Sequence, residues 1–168
     1  TAPPNRIEIE SLEYPTGFQS TSVSGAFHVH TNRSDGSMSV EEIAAIAADV
    51  GLSFVVFTDH GNGLEESDLP AYHSGVLCID STEISTDGGH YVAVDLPTTP
   101  YPLGGDVAGV VEDVERLGGF GVIAHPGSKK STFRWDNWDL KFDGMEWFNV
   151  DSEWRNESLL RLVASPIH

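Results

Sequence analysis

Three apolar runs in this chain end in histidine. Gly25-Ala26-Phe27 leads into His28-Val29-His30, Phe54-Val55-Val56-Phe57 into Thr58-Asp59-His60, and Gly121-Val122-Ile123-Ala124 into His125-Pro126-Gly127. Short apolar runs bounded by polar and turn residues read as buried strands. In parallel α/β architectures, sites form at the carboxyl ends of the strands. Histidines collected there from several strands would therefore converge in space.

The segments between the runs have helical signals. Ser39-Val40-Glu41-Glu42 is a capping box, with Ile43, Ile46, Ala47 and Val50 on one face and Gly51 as the stop. Asp106 caps a second helix in which Val107, Val110, Val111, Val114 and Leu117 are in register, ended by Gly118-Gly119. Further strands are expected over Val76–Ile79, His90–Val94 and Met145–Val150, with 61–75 as loop and a helix over 156–164. Strands alternating with helices predict an α/β fold with a parallel sheet. A chain of 168 residues suffices for one core, not two. Residues 1–22 read as an arm or linker, with an edge strand at Ile7–Glu10, and 23–168 as the domain.

The polar residues at the strand ends have metal-ligand chemistry. On an extended strand His28 and His30 share a face, roughly 7 Å apart by backbone rise, and can clamp one ion. Asp35 follows in the polar loop Thr31–Gly36. Glu83 and His90 flank the bend Asp87-Gly88-Gly89. A carboxylate has two oxygens and can bridge two ions, which an imidazole cannot. Taken singly, each piece has an ordinary reading: an exposed histidine pair, a helix cap at Asp59-His60, a Pro-Gly turn after His125. Taken together, five of the seven histidines lie at strand ends or beside an acidic turn, and a multi-metal site explains all of them. His73 and His168 fall outside the pattern and read as solvated. A donor set of imidazoles and carboxylates suits Zn, Mn or Fe, with Mg a further option, at two to three divalent metals per chain.

The pieces His28-Val29-His30-Thr31 with Ser34-Asp35-Gly36, Thr58-Asp59-His60, Glu83 with His90, His125-Pro126-Gly127, and Gly144-Met145-Glu146 with Asn149 resemble the PHP (polymerase and histidinol phosphatase) superfamily over about residues 25–150. The resemblance implies a distorted (β/α)7-type barrel with a trinuclear metal centre. His28, His30 and Glu83 would hold the first metal, Glu83, His90 and His125 the second, and Asp35 with His60 the third. The family's late Asp and His ligands have no counterpart after Asn149. The domain is therefore expected to be incomplete at its C-terminus, with about six strands present, and the N-terminus, which is not Met, to be trimmed.

The implied activity is that of a metal-dependent phosphoesterase in which a metal-bridging hydroxide attacks phosphorus. Glu83 would be the bridging ligand. Asp59 would support a histidine or move a proton, and Arg33, Lys129 and Lys130 are candidates to hold phosphate. Two other readings stay open. One is a C–N-bond metallohydrolase, which commonly bridges its metals with a modified lysine at a strand end; here neither nearby lysine follows a strand directly. The other is a non-catalytic metal-binding module. Trp135, Trp138, Trp147 and Trp154 read as core or rim packing before a substrate wall. There is no phosphate-binding P-loop, nucleophile elbow or dinucleotide fingerprint.

Nine basic against 26 acidic residues give a net charge of -17. On that balance the expected partner is a small phosphorylated substrate such as a nucleotide or sugar phosphate, not duplex nucleic acid. No membrane span is expected, and self-association or a missing C-terminal segment is expected to complete the barrel. Cys78 is the one cysteine and reads as a buried thiol. No signal peptide is visible, and the sequence assigns no compartment.

Overall fold

The computed structural model describes residues 22–147 and residue 149. The expected arm at 1–22 lies outside the described residues except for its last position, and the expected helix at 156–164 lies wholly outside them. The described chain runs β1 (Gly25–Val29), α1 (Val40–Asp49), β2 (Phe54–Gly61), β3 (Ala71–His73), β4 (Val76–Thr86), β5 (Gly89–Val94), α2 (Val107–Leu117), β6 (Phe120–Ile123) and β7 (Gly144–Met145).

The helices form for the reasons the sequence suggests. The Ser39 hydroxyl accepts from the Glu42 N–H at 3.3 Å, and the Glu42 carboxylate accepts from the Ser39 N–H at 2.8 Å. Asp106 caps α2 by accepting from the Gly109 N–H at 2.9 Å, and Gly118 closes it in the left-handed region at φ 90°. Val107, Val110, Val111 and Val114 are buried as their spacing predicts. The face of α1 differs from expectation. Ala44 and Ala47 are buried while Ile46 and Val50 are exposed. The face that packs on β2 and β4 runs through Val40, Ile43, Ala44, Ala47 and Ala48. Small alanines let the helix sit close to the sheet.

The sheet is mixed, which corrects the expectation of a parallel one. It has seven strands in the order β1-β2-β4-β5-β6-β7, with β3 paired to β4 off this path. β1–β2, β2–β4 and β6–β7 are parallel. β3–β4, β4–β5 and β5–β6 are antiparallel. The cause is connection length. Only Asp87 and Gly88 separate β4 from β5, and a two-residue turn permits only an antiparallel return, whereas a parallel partner needs a long crossover. The segment 61–75 is not all loop, since Ala71–His73 pairs with the first half of β4. β4 extends far beyond the expected four residues, to Thr86; β7 is Gly144–Met145, and positions 148 and 150 of the expected last strand lie outside the described residues.

Among the described residues, two helices on a mixed sheet make part of an α/β barrel. The larger core packs α2 against β5 and β6 through Tyr91, Ala93, Ile123 and Trp135; the smaller packs α1 against β2 and β4. Trp135 is buried and stacks on Tyr91, whereas Trp138 and Trp147 are exposed; Trp154 lies outside the described residues. Among the described residues no helix is long and apolar enough to cross a membrane.

Candidate metal centre

The mixed topology decides which strand ends meet. β1, β2, β4 and β6 point the same way, and β5 runs against them. The rim therefore collects the ends of β1, β2 and β6 but the start of β5. His28 and His30 come from the end of β1, His60 from β2, His125 from just beyond β6, and His90 is the second residue of β5. Glu83 reaches the same place from within β4.

Glu83 is the hub. Its side chain is 1% exposed. Oε1 lies 2.8 Å from His90 Nδ1 and 2.9 Å from His125 Nε2. Oε2 lies 3.2 Å from His28 Nε2, 3.1 Å from His30 Nε2 and 3.3 Å from His60 Nδ1. One carboxylate thus faces five imidazoles, two through one oxygen and three through the other. Burial works against charge on Glu83, but hydrogen bonds from His125, His28, His30 and His90 outweigh it and hold the carboxyl far below the usual range.

The seven donors read from the sequence fall into three groups: His28, Glu83 and His125; His60, Glu83 and His90; and His30, Asp35 and His60. Within each group the ligand atoms lie within 4.8 Å of one another. The partition differs from that implied by the family resemblance, which paired His28 with His30 and His90 with His125. The groups also differ in access. The side chains of His28, His90 and His125 are buried, whereas His60 is 38% and Asp35 70% exposed. The site has a closed floor and an open mouth.

The donor set fits divalent ions. Imidazole nitrogens and carboxylate oxygens that lie this close together are the donors a first-row divalent ion takes. Two of the rings are oriented by partners outside the cluster. His125 Nδ1 donates to the Phe133 carbonyl at 3.1 Å, which turns Nε2 toward Glu83. His28 Nδ1 donates to Glu146 Oε1 at 2.8 Å, with Nε2 facing Glu83. Such outer partners fix ring orientation and ligand basicity in metal sites.

Local backbone makes these placements. His28 has φ 67° and sits at a bulge, where the register skips from Phe27↔Val56 to Val29↔Phe57. The bulge replaces the regular alternation expected for His28-Val29-His30. It lets Ala26 and Val29 both pack toward α1 while His28 and His30 stack at the rim, ring centroids 5.2 Å apart. His125 is also in the left-handed region, at φ 30°. Such conformations cost a non-glycine residue about 1–3 kcal/mol and collect at functional sites. After His30 the chain doubles back so tightly that a Cβ on Gly36 would lie 2.2 Å from the His30 carbonyl oxygen. Glycine there lets the loop return Asp35 to His30, at 2.8 Å from Nδ1.

The remaining candidates have other surroundings. Asp59 accepts from the Thr31 N–H (2.8 Å), the Thr31 hydroxyl (2.7 Å) and the Ser34 hydroxyl (2.5 Å), so its carboxylate is engaged with the 31–34 loop. Burial opposes its charge, but these bonds keep its pKa below the ordinary value. The Arg33 guanidinium pairs with Asp68 at 2.6 Å and Asp80 at 3.0 Å. Lys129 is exposed on the loop after His125. Lys130 lies 3.7 Å over the Phe133 ring, which itself sits 4.7 Å from His90 and 5.4 Å from His125.

Glu146 is the residue that the donor pattern did not single out. Besides His28, it accepts from the His125 backbone N–H through Oε2, and Asn149 Nδ2 lies 3.3 and 3.2 Å from its two oxygens. Burial opposes ionisation of Glu146, but the His28 bond holds its pKa below the usual value. The only sequence signal was its place in the segment Gly144-Met145-Glu146.

No family model and no curated protein matches the sequence. Solved structures do. A two-domain protein from Bacteroides vulgatus containing a predicted PHP-like metal-dependent phosphoesterase superposes with a TM-score of 0.50 at 22% identity, over 65% of this chain and 36% of that one. Lesion-specific endonuclease Q from Pyrococcus furiosus superposes with a TM-score of 0.51 at 18% identity, over 73% of this chain and 41% of that one. Endonuclease Q in complex with a 27-mer duplex carrying an abasic lesion gives a TM-score of 0.50 at 18% identity, over 73% and 42%. The chain thus spans about two fifths of the proteins whose fold it shares, and its fold is that of part of a PHP-like protein.

These likenesses correct the expectation about partners. Endonuclease Q, which shares this fold, takes a lesion-bearing DNA duplex at its active site, which overturns the exclusion of duplex nucleic acid. Net charge averages over the whole surface, whereas binding responds to local charge. Three of the nine basic residues, Lys129, Lys130 and Arg134, lie within six positions of one another on the loop after His125.

Proposed function

We propose that this chain carries the metal-holding part of a hydrolase that cleaves phosphodiester bonds in nucleic acid. Its scaffold would be a (β/α)7-type PHP barrel to which residues 23–168 contribute the larger part, with 1–22 as an arm. The observation that carries the reading is the convergence of five imidazoles, from β1, β2, β5 and the end of β6, on the buried Glu83 carboxylate. The three donor groups would hold two or three divalent ions, with Zn, Mn or Fe best suited to the imidazole-rich set. Such ions, when bound, supply a water acidified toward neutral pH and positive charge for the phosphoryl oxygens.

The chain's own residues then have distinct tasks. Glu83 is common to two of the three donor groups and would be the ligand they share. Asp59 holds the loop that returns Asp35 to the mouth. Lys129 and Lys130, beside His125, offer fixed positive charge to a phosphate. Arg33, held by Asp68 and Asp80, would serve phosphate only by leaving them, and otherwise braces the loop between His30 and Asp35. The open mouth at His60 and Asp35 is the side from which a polynucleotide strand would approach.

Nucleic acid as substrate is supported by the shared fold with endonuclease Q and by Lys129 and Lys130 on the loop after His125, where Arg134 is paired with Asp136. The test is incubation of the full chain, loaded with Mn or Zn, with end-labelled duplex containing one abasic site, intact duplex and single strand, beside a panel of amides and lactones. Metal-dependent cleavage of one of the DNAs is expected. Turnover of amides or lactones with every DNA intact would overturn the reading.

A further inference from the structure

Glu146 joins the two ends of the sheet. Among the described residues β1 and β7 are its outermost strands, and Glu146, directly after β7, accepts a hydrogen bond from Nδ1 of His28 in β1. Its backbone N–H donates to the Ile123 carbonyl at 3.0 Å, so the residue is also anchored to β6. Its second oxygen takes the His125 N–H at the end of that strand. A side chain bridging 118 residues of sequence therefore touches two of the proposed ligands, one through its ring and one through its backbone.

The His125 N–H, the Asn149 amide and, when it is protonated, His28 Nδ1 all face Glu146 as donors. A carboxylate only accepts, so it satisfies all three and, once the other ring proton is displaced, leaves Nε2 of His28 to an ion beside Glu83. An amide of the same shape cannot do this. If its oxygen takes the His125 N–H, its NH2 faces His28 Nδ1 and favours the other tautomer, with a proton on Nε2 where an ion would bind. If it turns over, a buried backbone N–H loses its partner, at a cost of about 1–3 kcal/mol.

We infer that Glu146 is a positioning residue that fixes the His28 tautomer and ties it to the His125 strand end, so that joining the sheet edges and preparing the metal site are one event. This rests on the metal-centre reading but not on the identity of the substrate.

The test measures zinc rather than turnover. Affinities are compared by chelator competition for the full chain, Glu146→Gln, His28→Ala and the double variant, with the His28 tautomer read by long-range nitrogen-15 NMR of the zinc-loaded protein. Glu146→Gln should weaken one zinc site by about 10- to 100-fold and reduce the Nδ1–H signal of His28. The double variant should bind within about twofold of His28→Ala, because the two residues act as one unit. Should Glu146→Gln not fold, Glu146→Asp, which keeps two acceptors, should fold and retain measurable zinc affinity. Unchanged zinc binding in Glu146→Gln, or effects of the two substitutions that multiply, would overturn the assignment while leaving the metal centre standing; so would failure of Glu146→Asp to retain zinc. Absence of zinc binding by the unmodified chain would overturn both.

Discussion

Glu83 Oε1 lies 2.9 Å from Nε2 of His125, across 42 residues of sequence. The contact exists because β4 and β6 run the same way with β5 between them, which sets the Glu83 position beside the end of β6. It is one of five imidazole contacts to a carboxylate that has almost no access to water. An apolar residue would be cheaper there, since burying a carboxylate costs several kcal/mol before its partners compensate.

Glu83→Gln should therefore strip metal and activity together. The amide keeps the shape but loses the charge and one acceptor, and it would replace a ligand common to two donor groups. A fall in metal affinity of more than about 100-fold is expected, beyond the range for outer partners, measured by elemental analysis after dialysis. Unchanged turnover in this variant would remove Glu83 from the centre.

Asp59→Asn should act on the mouth and spare the floor. It removes one acceptor from a set of three donors in the Thr31–Ser34 loop, at a cost of about 1–3 kcal/mol. Melting curves should show lower stability, and metal titration should show weaker binding at the group containing Asp35 with the Glu83 groups retained. Equal weakening at all sites would assign Asp59 a different role.

In protein stripped of metal by chelator, stability should depend on pH through His28. Burial lowers its pKa, but bonds to Glu146 and Glu83 outweigh this and raise it to about 10 from 6.5. A raised pKa means that the folded state holds the proton more tightly than the unfolded one. The contribution is therefore fully present below pH 6.5 and is lost as pH rises toward about 10. Metal binding must displace that proton, so affinity should rise over the same window. Denaturation midpoints and zinc titrations across this range check both slopes; a stripped protein that gains stability through it would contradict the assignment.

Lys130→Ala should weaken DNA binding and reduce its dependence on salt. The ammonium sits on Phe133, which packs against His90 and His125, so the charge is held beside the proposed site. Loss of one phosphate contact should reduce the log–log salt slope by about 0.7–0.9. An unaltered slope in fluorescence anisotropy would place the phosphate elsewhere.

Much of this site was legible because its chemistry is local. Each of the seven donors sits where an apolar run gives way to polar residues, or beside a glycine bend, and the structure brings all seven together. α2 was legible for the same reason, since valines at helical spacing lie between Asp106 and Gly118. What was not legible depends on partners distant in sequence. The exposure of Ile46 and Val50 follows from where α1 meets β2 and β4. The antiparallel return of β5 was hidden because β4 is long and its polar second half, Asp80–Thr86, did not read as strand. The bulge at His28 has no local signal, and the tie between Glu146 and His28 spans 118 residues. The exclusion of duplex DNA failed because a net charge of -17 says nothing of where nine basic residues lie.

The most direct test of the account is the metal content of the full chain purified without chelator, measured by inductively coupled plasma mass spectrometry against protein concentration. Two or more tightly held first-row divalent ions per chain are predicted, with any ion at the His30, Asp35 and His60 group lost first on dialysis. Protein that emerges folded but without stoichiometric metal, and that takes up none from added zinc or manganese, would contradict it.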